Sequence, residues 1–357
     1  MNLKIYEKIM LSNFSTFKIG GKARFLAIPE DINQIFEAVD FCKKRSLKPF
    51  FFGSGANILF PDKPEDDIFF ISLKYFKDFE IENDKIILSS GFPLTLIPFL
   101  FSSLANIDNL FFLYLLPGTV GAATYINVRY DKYDFGPFIS KIIYLDIDDL
   151  KIKEIDGSLA EFSYKYSIFQ KKNWIILKVV FDINILSKNY EKTEQKDKYG
   201  KLKEFIMRKI ILENQRISRK ATEIESDIKK FYKIFGLKYI KKYLKRSFDF
   251  IDSETFSQMK KIEDYRLSKF HFSYPSCGSV FKNNYSFGVP TGALVDRLGL
   301  KGLKHNDAQI APYHGNIIIN TANAKAKDVL YLIEFVQEKI YKNFGFVPEP
   351  EIILFRR

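Results

Sequence analysis

The hydrophobic pattern near the N-terminus predicts a β-α-β unit. Residues 25–28 form a short apolar run typical of a strand, and an amphipathic helix is predicted over 32–44. A second apolar run, 49–52, leads directly into the glycine-rich segment 53–57. Because a glycine-rich loop at the end of a strand is a common place to hold phosphates, we expect this unit to bind a phosphorylated ligand.

The rest of the chain also mixes strands with helices. Residues 68–185 are strand-rich with one helix predicted near 94–106, and they end in the apolar run 174–183. Beyond residue 274 the pattern returns to strands, glycine turns and a helix predicted over 326–343. No repeat of fixed period is present, which excludes solenoids and propellers, so the predicted fold class is α+β.

One segment differs sharply in charge. The 357-residue chain has a formal net charge of +12, and residues 191–250 alone hold 18 Lys and Arg against 9 Asp and Glu in mostly helical periodicity. Aromatic residues within it recur at helical spacing, which is typical of packing, and no nucleic-acid-binding motif accompanies them. These residues are Tyr232, Phe235, Tyr239 and Tyr243. We therefore expect a basic helical insertion over 191–270 and no nucleic-acid partner.

Cysteine and histidine usage limits metal and disulfide chemistry. Cys42 and Cys277 are the two cysteines, and the three histidines form no metal-ligand motif. We therefore expect neither a disulfide nor a metal site. We also expect the protein to work in a reducing compartment, the cytoplasm. The uncharged run 86–107 is interrupted by glycine and prolines, so it predicts no transmembrane helix.

Two loops of small residues are candidates for holding a diphosphate or a dinucleotide. The first is Gly53-Ser-Gly-Ala-Asn57 and the second is Pro117-Gly-Thr-Val-Gly-Ala-Ala123. Neither has the spacing GxGxxG or GxxxxGK[ST], which disfavours a Rossmann fingerprint and a P-loop. A plain turn explains the first loop alone equally well, but two such loops favour a ligand held between two lobes.

The string 275–283 brings a hydroxyl, a lysine and an amide together, as Ser279, Lys282 and Asn283. Because no GxSxG motif or partner histidine accompanies Ser279, a nucleophile is disfavoured, and its hydroxyl is better suited to protonate a carbanion or enolate. A turn serine bonded to the backbone is the competing interpretation. Strand alternation predicts that Ser279 and Phe281 share one face, whereas Val280 and Lys282 share the other. Farther along, the prolines around Glu351 fix the local backbone, which is consistent with a preoriented carboxylate.

Together these strings resemble one family, the UDP-N-acetylenolpyruvoylglucosamine reductases (MurB family) of bacterial wall synthesis. The strings occur in the same order as the family's motifs and span nearly the whole chain. The matching strings are 13–21, 53–59, 117–123, 164–169, 275–283, 292–302, 314–320 and 348–351.

The resemblance implies an α+β flavoenzyme, with a two-lobe FAD-binding fold of the PCMH or vanillyl-alcohol-oxidase type and a C-terminal α+β substrate-binding lobe. We expect FAD-binding lobe 1 over 1–75 and lobe 2 over 76–190, with a C-terminal strand in 345–357 returning to lobe 2. The basic insertion over 191–270 then precedes the substrate-binding lobe, 271–344.

The resemblance also implies a reaction. UDP-N-acetylglucosamine-enolpyruvate would be reduced to UDP-N-acetylmuramate for peptidoglycan synthesis, with NADPH as reductant, a hydride from flavin N5 and a proton from Ser279. Motif positions imply the catalytic residues Ser279, Glu351 and Lys165, and the substrate-binding residues Tyr164, Lys282 and Asn283. The implied FAD-binding residues are Gly53, Ser54, Gly55, Ala56, Asn57, Pro117, Gly118, Thr119, Gly121, Ala122 and Asn127. We expect a monomer whose partners are the UDP-sugar and NADPH.

Three departures from the family pattern leave a second interpretation open. Lys165 stands where the family has arginine, which keeps the charge but loses the planar fork that grips a carboxylate. Segment 128–135 replaces small residues after Asn127, and Arg129 within it could compensate for Lys165. Ala56 stands where serine is usual. The alternative is therefore a catalytically weakened or non-catalytic homologue that still binds FAD or a sugar nucleotide.

Overall fold

The computed structural model describes residues 2–82, 84–105, 108–183, 204–207, 209, 228–236 and 253–355. Within these ranges the chain forms three sheets of four or five strands, together with two short strand pairs. Most of the expected insertion, 191–270, lies outside the described residues, including Tyr239 and Tyr243.

The regular elements are as follows. The helices are α1 (Ile32–Arg45), α2 (Ile97–Ala105), α3 (Val120–Tyr125), α4 (Ile228–Phe235), α5 (Ser253–Ser268), α6 (Thr291–Arg297) and α7 (Ala326–Phe344). Short 3-10 helices span Leu11–Phe14, Leu73–Tyr75, Leu94–Leu96, Asp108–Leu113, Gly136–Phe138, Gly157–Leu159, Ile168–Gln170 and Tyr285–Phe287. The strands are β1 (Ile5–Met10), β2 (Lys22–Ala27), β3 (Lys48–Phe52), β4 (Ile58–Leu59), β5 (Ile68–Ser72), β6 (Phe79–Glu82), β7 (Lys85–Ser89), β8 (Arg129–Tyr130), β9 (Tyr133–Asp134), β10 (Lys141–Asp146), β11 (Lys151–Asp156), β12 (Trp174–Asp182), β13 (Ser276–Ser279), β14 (Lys304–His305), β15 (Ala308–Ile310), β16 (Ile317–Asn320) and β17 (Ile353–Leu354).

The first sheet has the order β1-β2-β5-β3, and it contains the predicted β-α-β unit. Helix α1 begins where the Asp31 carboxylate accepts a hydrogen bond from the backbone N–H of Gln34, and it ends at Ser46 in the left-handed conformation. Its buried face packs on the sheet through apolar residues at helical spacing, including Ile35 and Val39. The predicted strand–helix–strand order is confirmed.

The second sheet is antiparallel throughout, with the order β11-β10-β12-β7-β6. Its core accounts for much of the phenylalanine content, because Phe92, Phe99, Phe101 and Phe112 are all fully buried. Part of the uncharged run 86–107 therefore lies in the protein interior. Among the described residues, no helix has both the length and the apolar character needed to cross a membrane.

The described part of the basic insertion packs on this second core. Phe235 of α4 is buried, and its carbonyl accepts a hydrogen bond from the Tyr114 hydroxyl at 2.8 Å. Met259 of α5 is fully buried in the same cluster, and Tyr232 stacks on Phe272 with ring centroids 4.9 Å apart. The interpretation of Tyr232 and Phe235 as packing residues is therefore confirmed.

The third sheet has the order β13-β16-β15-β14, and α7 packs against it. The helix buries positions three and four residues apart, among them Val329, Leu332 and Val336. It ends at Gly345, whose positive φ of 78° suits a helix C-terminus. The helix predicted over 326–343 is confirmed.

The C-terminal strand returns to the first lobe. β17 pairs in parallel with β4, joining Ile353 to Ile58 and Leu354 to Leu59. The expected return to lobe 2 is therefore wrong. The pairing is favoured by apolar packing, because Phe355 packs with Phe50, Phe60 and Phe70 of the first lobe. As a consequence, Glu351 lies next to the glycine-rich loop 53–57.

Candidate active site

All three sheets contribute residues to one large cavity of about 990 Å³. Both glycine-rich loops line it, as do Ser279 and Glu351. A smaller cavity of about 330 Å³ shares part of this lining. The residues common to both cavities are Ser279, Asn283, Pro290, Tyr313 and His314. A concave site built where lobes meet is a typical ligand-binding site.

The two glycine-rich loops touch each other where a larger residue would not fit. A Cβ atom added to Gly53 would lie 2.3 Å from Oγ1 of Thr119, and one added to Gly121 would lie 2.6 Å from Cβ of Ser90. Glycine at position 53 therefore allows the two loops to approach each other, and glycine at position 121 allows the second loop to pack against Ser90, which follows β7. The Oγ atoms of Ser54 and Ser90 are buried there without a hydrogen-bond partner.

Nearly all the expected cofactor-binding residues line the large cavity. They are Gly53, Ser54, Gly55, Ala56, Asn57, Pro117, Gly118, Thr119, Gly121 and Ala122. Asn127 is the exception and corrects the expectation. Its Nδ2 donates to the Ser163 carbonyl and its Oδ1 accepts from the Gly136 N–H, both at 2.8 Å. Because both ends of this amide are used inside the protein, Asn127 anchors the neighbouring segments instead of facing the cavity.

A two-residue turn presents Tyr164 and Lys165 to the cavity. Ser163 and Tyr166 exchange backbone hydrogen bonds of 3.1 and 3.2 Å across the turn. Lys165 has a positive φ of 56°, a conformation that costs energy for a residue with a Cβ atom. A strained, well-fixed backbone of this kind is typical of functional sites.

Lys165 forms a buried ion pair with Glu351. The Nζ and Oε1 atoms are 2.6 Å apart, and the two side chains are 10% and 14% exposed. Burial raises the pKa of the Glu351 carboxyl above its ordinary value, and the nearby charge of Lys165 partly offsets that rise. The pair therefore holds a carboxyl group and an ammonium group in one fixed geometry inside the cavity wall.

Ser279 is brought close to Glu351 because its neighbour in the chain, Val280, is hydrogen-bonded to the backbone of Glu351. The N–H of Glu351 donates to the carbonyl of Val280 at 2.7 Å. Gly278 precedes the serine with a φ of 74°, and the pairing of β13 with β16 shifts register at this point. The expected alternation beyond Ser279 is wrong, because the strand ends there and both Val280 and Phe281 are buried.

The three expected substrate-binding residues separate into two groups. The Tyr164 hydroxyl accepts a hydrogen bond from the Asn283 N–H at 3.0 Å, and both residues line the cavity. Burial raises the pKa of Tyr164 to about 12, so its hydroxyl stays protonated at neutral pH. Lys282 does not line either cavity, and its Nζ pairs at 3.2 Å with the exposed Glu349.

Arg129 reaches the cavity from the hairpin β8–β9, inside the segment that departs from the family pattern. Its Cζ atom lies 5.7 Å from the ring centroid of Tyr164 and 5.3 Å from that of Tyr285, within cation-π range. Its Nε donates to the Asp131 carbonyl, and Nη1 is 3.5 Å from Asp134. Arg129 is therefore a cation beside the turn that carries Lys165.

Sequence reasoning missed Arg266 and His271, which also line the cavity. Nε and Nη2 of Arg266 and Nε2 of His271 are buried without a hydrogen-bond partner. No sequence signal identified Arg266, because it lies in a segment where basic residues are frequent. Nδ1 of His314 accepts a hydrogen bond from the Asn316 N–H, and the His314 side chain lines both cavities.

Metal-ligand and thiol chemistry finds little support. Across the described ranges, no group of three or more His, Cys, Asp and Glu side chains could hold a metal ion. Cys277 lines the cavity, but its buried Sγ contacts the carbonyl of Ile58 at 3.1 Å, and burial strongly raises the pKa of its thiol. A thiolate nucleophile is therefore disfavoured.

Comparisons with known proteins agree with this arrangement. Residues 270–355 match the model of the C-terminal domain of UDP-N-acetylenolpyruvoylglucosamine reductase. A relative of that name from Treponema denticola is 31% identical over 349 residues, covering 96% of this chain and 91% of the relative. Another from Borreliella burgdorferi is 29% identical over 359 residues, covering 99% and 95%. The crystal structure of the Thermus caldophilus enzyme is similar in fold, with a TM-score of 0.65, 19% identity and full coverage of both chains.

Proposed function

The chain belongs to the UDP-N-acetylenolpyruvoylglucosamine reductase family of peptidoglycan synthesis, and we propose that Ser279, Glu351 and Lys165 perform its reaction with FAD as cofactor and NADPH as reductant. One observation carries this assignment. The Lys165–Glu351 pair and Ser279 line the same cavity as both glycine-rich loops, although they come from separate parts of the chain.

The cavity fits FAD. Gly53 leaves no room for a side chain against Thr119 of the second loop. Among the described residues, the hydroxyls of Ser54 and Ser90 have no hydrogen-bond partner and are donors for phosphate or ribose oxygens. The loop residues that line the cavity, 53–57, 117–119, 121 and 122, would hold the dinucleotide. When bound, FAD supplies the hydride that reduces the enolpyruvyl double bond.

The protein's own residues must handle a negative charge and a proton. Addition of a hydride equivalent to the β-carbon of the enolpyruvyl group leaves a carbanion at the α-carbon, and this charge is delocalised into the attached carboxylate as an enolate. The Lys165 ammonium group stabilises that negative charge electrostatically, and Glu351, whose Oε1 lies 2.6 Å from Nζ of Lys165, holds the ammonium group in place beside it. The Ser279 hydroxyl then donates the proton that the α-carbon requires.

Lysine at position 165 can serve this role without the family's arginine. An ammonium group is a point charge, so it stabilises an enolate electrostatically but cannot bind a carboxylate through two parallel hydrogen bonds. Its orientation is fixed by the 2.6 Å contact with Glu351 and by the turn 163–166. We propose a working active site in which position 165 contributes charge more than geometry.

The remaining assignments follow from the same cavity. Tyr164 and Asn283 would bind the sugar nucleotide, because a hydrogen bond fixes them to each other at the cavity wall. Lys282 pairs with exposed Glu349 instead, so we propose no direct contact with substrate for it. We also propose a cytoplasmic monomer that takes its reducing equivalents from NADPH. Size-exclusion chromatography with light scattering tests the monomer.

Enzyme assays with Ser279→Ala test the proposed function. The purified protein should carry FAD and should oxidise NADPH when the enolpyruvyl sugar nucleotide is added. Because the proton donor is lost, Ser279→Ala should lower kcat by about 10²- to 10⁴-fold while keeping the flavin. Ser286→Ala, an exposed serine in the same lobe, is the matched control and should behave like the native protein.

Three results would contradict this function. A protein that binds no FAD would remove the cofactor assignment, and full activity in Ser279→Ala would remove the proton donor. Tight binding of FAD and the sugar nucleotide without any NADPH oxidation would instead support the non-catalytic alternative.

A further inference from the structure

The end of α5 places an arginine in the cavity wall without a counter-charge. Arg266 is 6% exposed and lines the large cavity. Its Nε and Nη2 make no hydrogen bond, and no carboxylate within the described ranges pairs with it. Its Cζ atom lies 5.8 Å from the ring centroid of Tyr130, within cation-π range. A buried guanidinium with two unpaired nitrogens is costly to keep in a folded protein.

A third nitrogen without a hydrogen-bond partner belongs to His271, which lies five residues after Arg266 in the chain. His271 donates its backbone N–H to the Arg266 carbonyl at 3.1 Å, which closes the turn after α5. Nε2 of His271 is buried and has no partner, and the side chain lines the same cavity. Burial, reinforced by the charge of Arg266, lowers the pKa of His271 to about 4. Within the described ranges, the Arg266 charge in this wall therefore has no carboxylate as its hydrogen-bond partner.

The unpaired atoms of Arg266 define the shape of the missing partner. Nε and Nη2 are the two nitrogens on one edge of the guanidinium plane, and together they present two parallel N–H groups. Two oxygens of one carboxylate or phosphate group match this edge. A neutral hydroxyl or a single carbonyl would leave one of the two donors unpaired.

The position of this wall indicates which ligand carries the anion. The His271 ring is 6.4 Å from that of His314, which belongs to the same lobe as Ser279. His314 and Ser279 line both cavities, and they are connected through Asn316, whose N–H donates to His314 and whose carbonyl accepts from Val280. The wall therefore borders the proton donor on the substrate side of the cavity.

We propose that Arg266 and His271 form an anion-binding subsite for a carboxylate or phosphate group of the sugar-nucleotide substrate. This subsite rests on the proposed function, because that function supplies a substrate with both groups. Arg266 binds two oxygens through its free edge, and His271 adds a third donor. The cost of keeping the guanidinium unpaired is recovered when the substrate binds.

Binding measurements on the FAD-loaded protein test the subsite. Calorimetry would compare the enolpyruvyl substrate with UDP-N-acetylglucosamine, which has the diphosphate but lacks the carboxylate. A charge-assisted pair typically contributes enough for Arg266→Met to weaken binding by about 10- to 100-fold. If the partner is a phosphate, both probes lose affinity, and if it is the carboxylate, only the enolpyruvyl substrate does. Arg297→Met, an exposed arginine on α6, is the matched control.

Two further variants keep the test decisive if Arg266→Met folds poorly. Arg266→Lys keeps the charge without the two-nitrogen edge and should lose part of the affinity, about threefold to tenfold. His271→Gln should lose about twofold to fivefold. In the absence of ligand, Arg266→Met should melt at the native temperature or above it, because an unpaired buried charge has been removed.

The outcomes separate the subsite from the proposed function. Native affinity for both probes in the Arg266 and His271 variants would overturn the subsite, and a lowered melting temperature alongside would assign Arg266 a structural role. If the unmodified protein binds neither probe, the proposed function fails instead.

Discussion

Two buried cations line the same cavity, and they differ in what neutralises them. Lys165 meets Glu351 at 2.6 Å, whereas Nε and Nη2 of Arg266 have no partner. A charge paired inside the protein is oriented before any ligand arrives, so it can act on the reaction itself. An unpaired charge is satisfied only when a ligand binds, so it should act on affinity. The comparison predicts a rate defect at Lys165 and an affinity defect at Arg266.

Among the cations that line the cavity, Lys165 should show the largest effect when it is replaced. Lys165→Met leaves Glu351 buried without its counter-charge and removes the charge that faces the enolate. We expect kcat to fall by about 10²- to 10³-fold with little change in affinity for the sugar nucleotide. Steady-state kinetics with the enolpyruvyl substrate measures both quantities.

The control is a lysine–glutamate pair of the same kind on the surface. Lys342 and Glu338 pair on α7 with both side chains more than half exposed. Lys342→Met should leave kcat unchanged, because exposed pairs contribute little. A Lys165→Met protein with a native kcat would show that the buried pair has no role in the reaction.

Acid should destabilise the unpaired region of the ligand-free protein. The pKa of His271 is about 4 when folded, against an ordinary value of 6.5, so the unfolded chain takes up the proton first. The stability linked to this histidine is therefore present above pH 6.5 and is lost as the pH falls towards 4. The full loss amounts to about 3 kcal/mol.

Denaturant unfolding at several pH values checks this difference. His271→Gln should lose less stability than the native protein between pH 7 and pH 4. Parallel curves for the native protein and His271→Gln would contradict the uncompensated charge in this wall.

The smallest effect is expected at Arg129, which is only partly buried and already contacts Asp131 and Asp134. Arg129→Met should weaken substrate binding by about threefold to fivefold, because a cation beside Tyr164 is lost. If Arg129 compensates for the lysine at 165, its removal should matter less in a Lys165→Arg background. The double-mutant cycle measures this coupling in KM and kcat, and strictly additive effects would contradict compensation.

The cavity walls also differ in how far the sequence predicted them. The glycine-rich loops were identified because close backbone approach requires glycine locally, as the contact of Gly53 with Thr119 illustrates. Ser279, Glu351 and Lys165 were identified from motifs, and the structure brings Lys165 and Glu351 into contact. These features depend on residue type and on neighbours in the sequence.

The features that sequence reasoning missed depend on distant partners. Nothing in the segment around Arg266 indicates that its nitrogens lack partners, because that state is set by every element packed around α5. The return of β17 to β4 is a parallel pairing between residues about 295 positions apart, for which local pattern gives no signal. Likewise, the sequence pattern alone predicts that side chains continue to alternate between the two faces of the strand after Ser279. The irregular pairing of β13 with β16 near Gly278 interrupts this alternation.

The most direct measurement follows the reoxidation of the NADPH-reduced, FAD-loaded protein by the enolpyruvyl substrate in a rapid-mixing experiment at several substrate concentrations. We expect the native protein to be reoxidised with saturation and to form UDP-N-acetylmuramate. We expect Lys165→Met to lower the limiting rate, whereas Arg266→Met should raise the substrate concentration needed for half of that rate. A native protein that substrate does not reoxidise would contradict the function, and identical defects in the two variants would contradict the division between the paired and the unpaired cation.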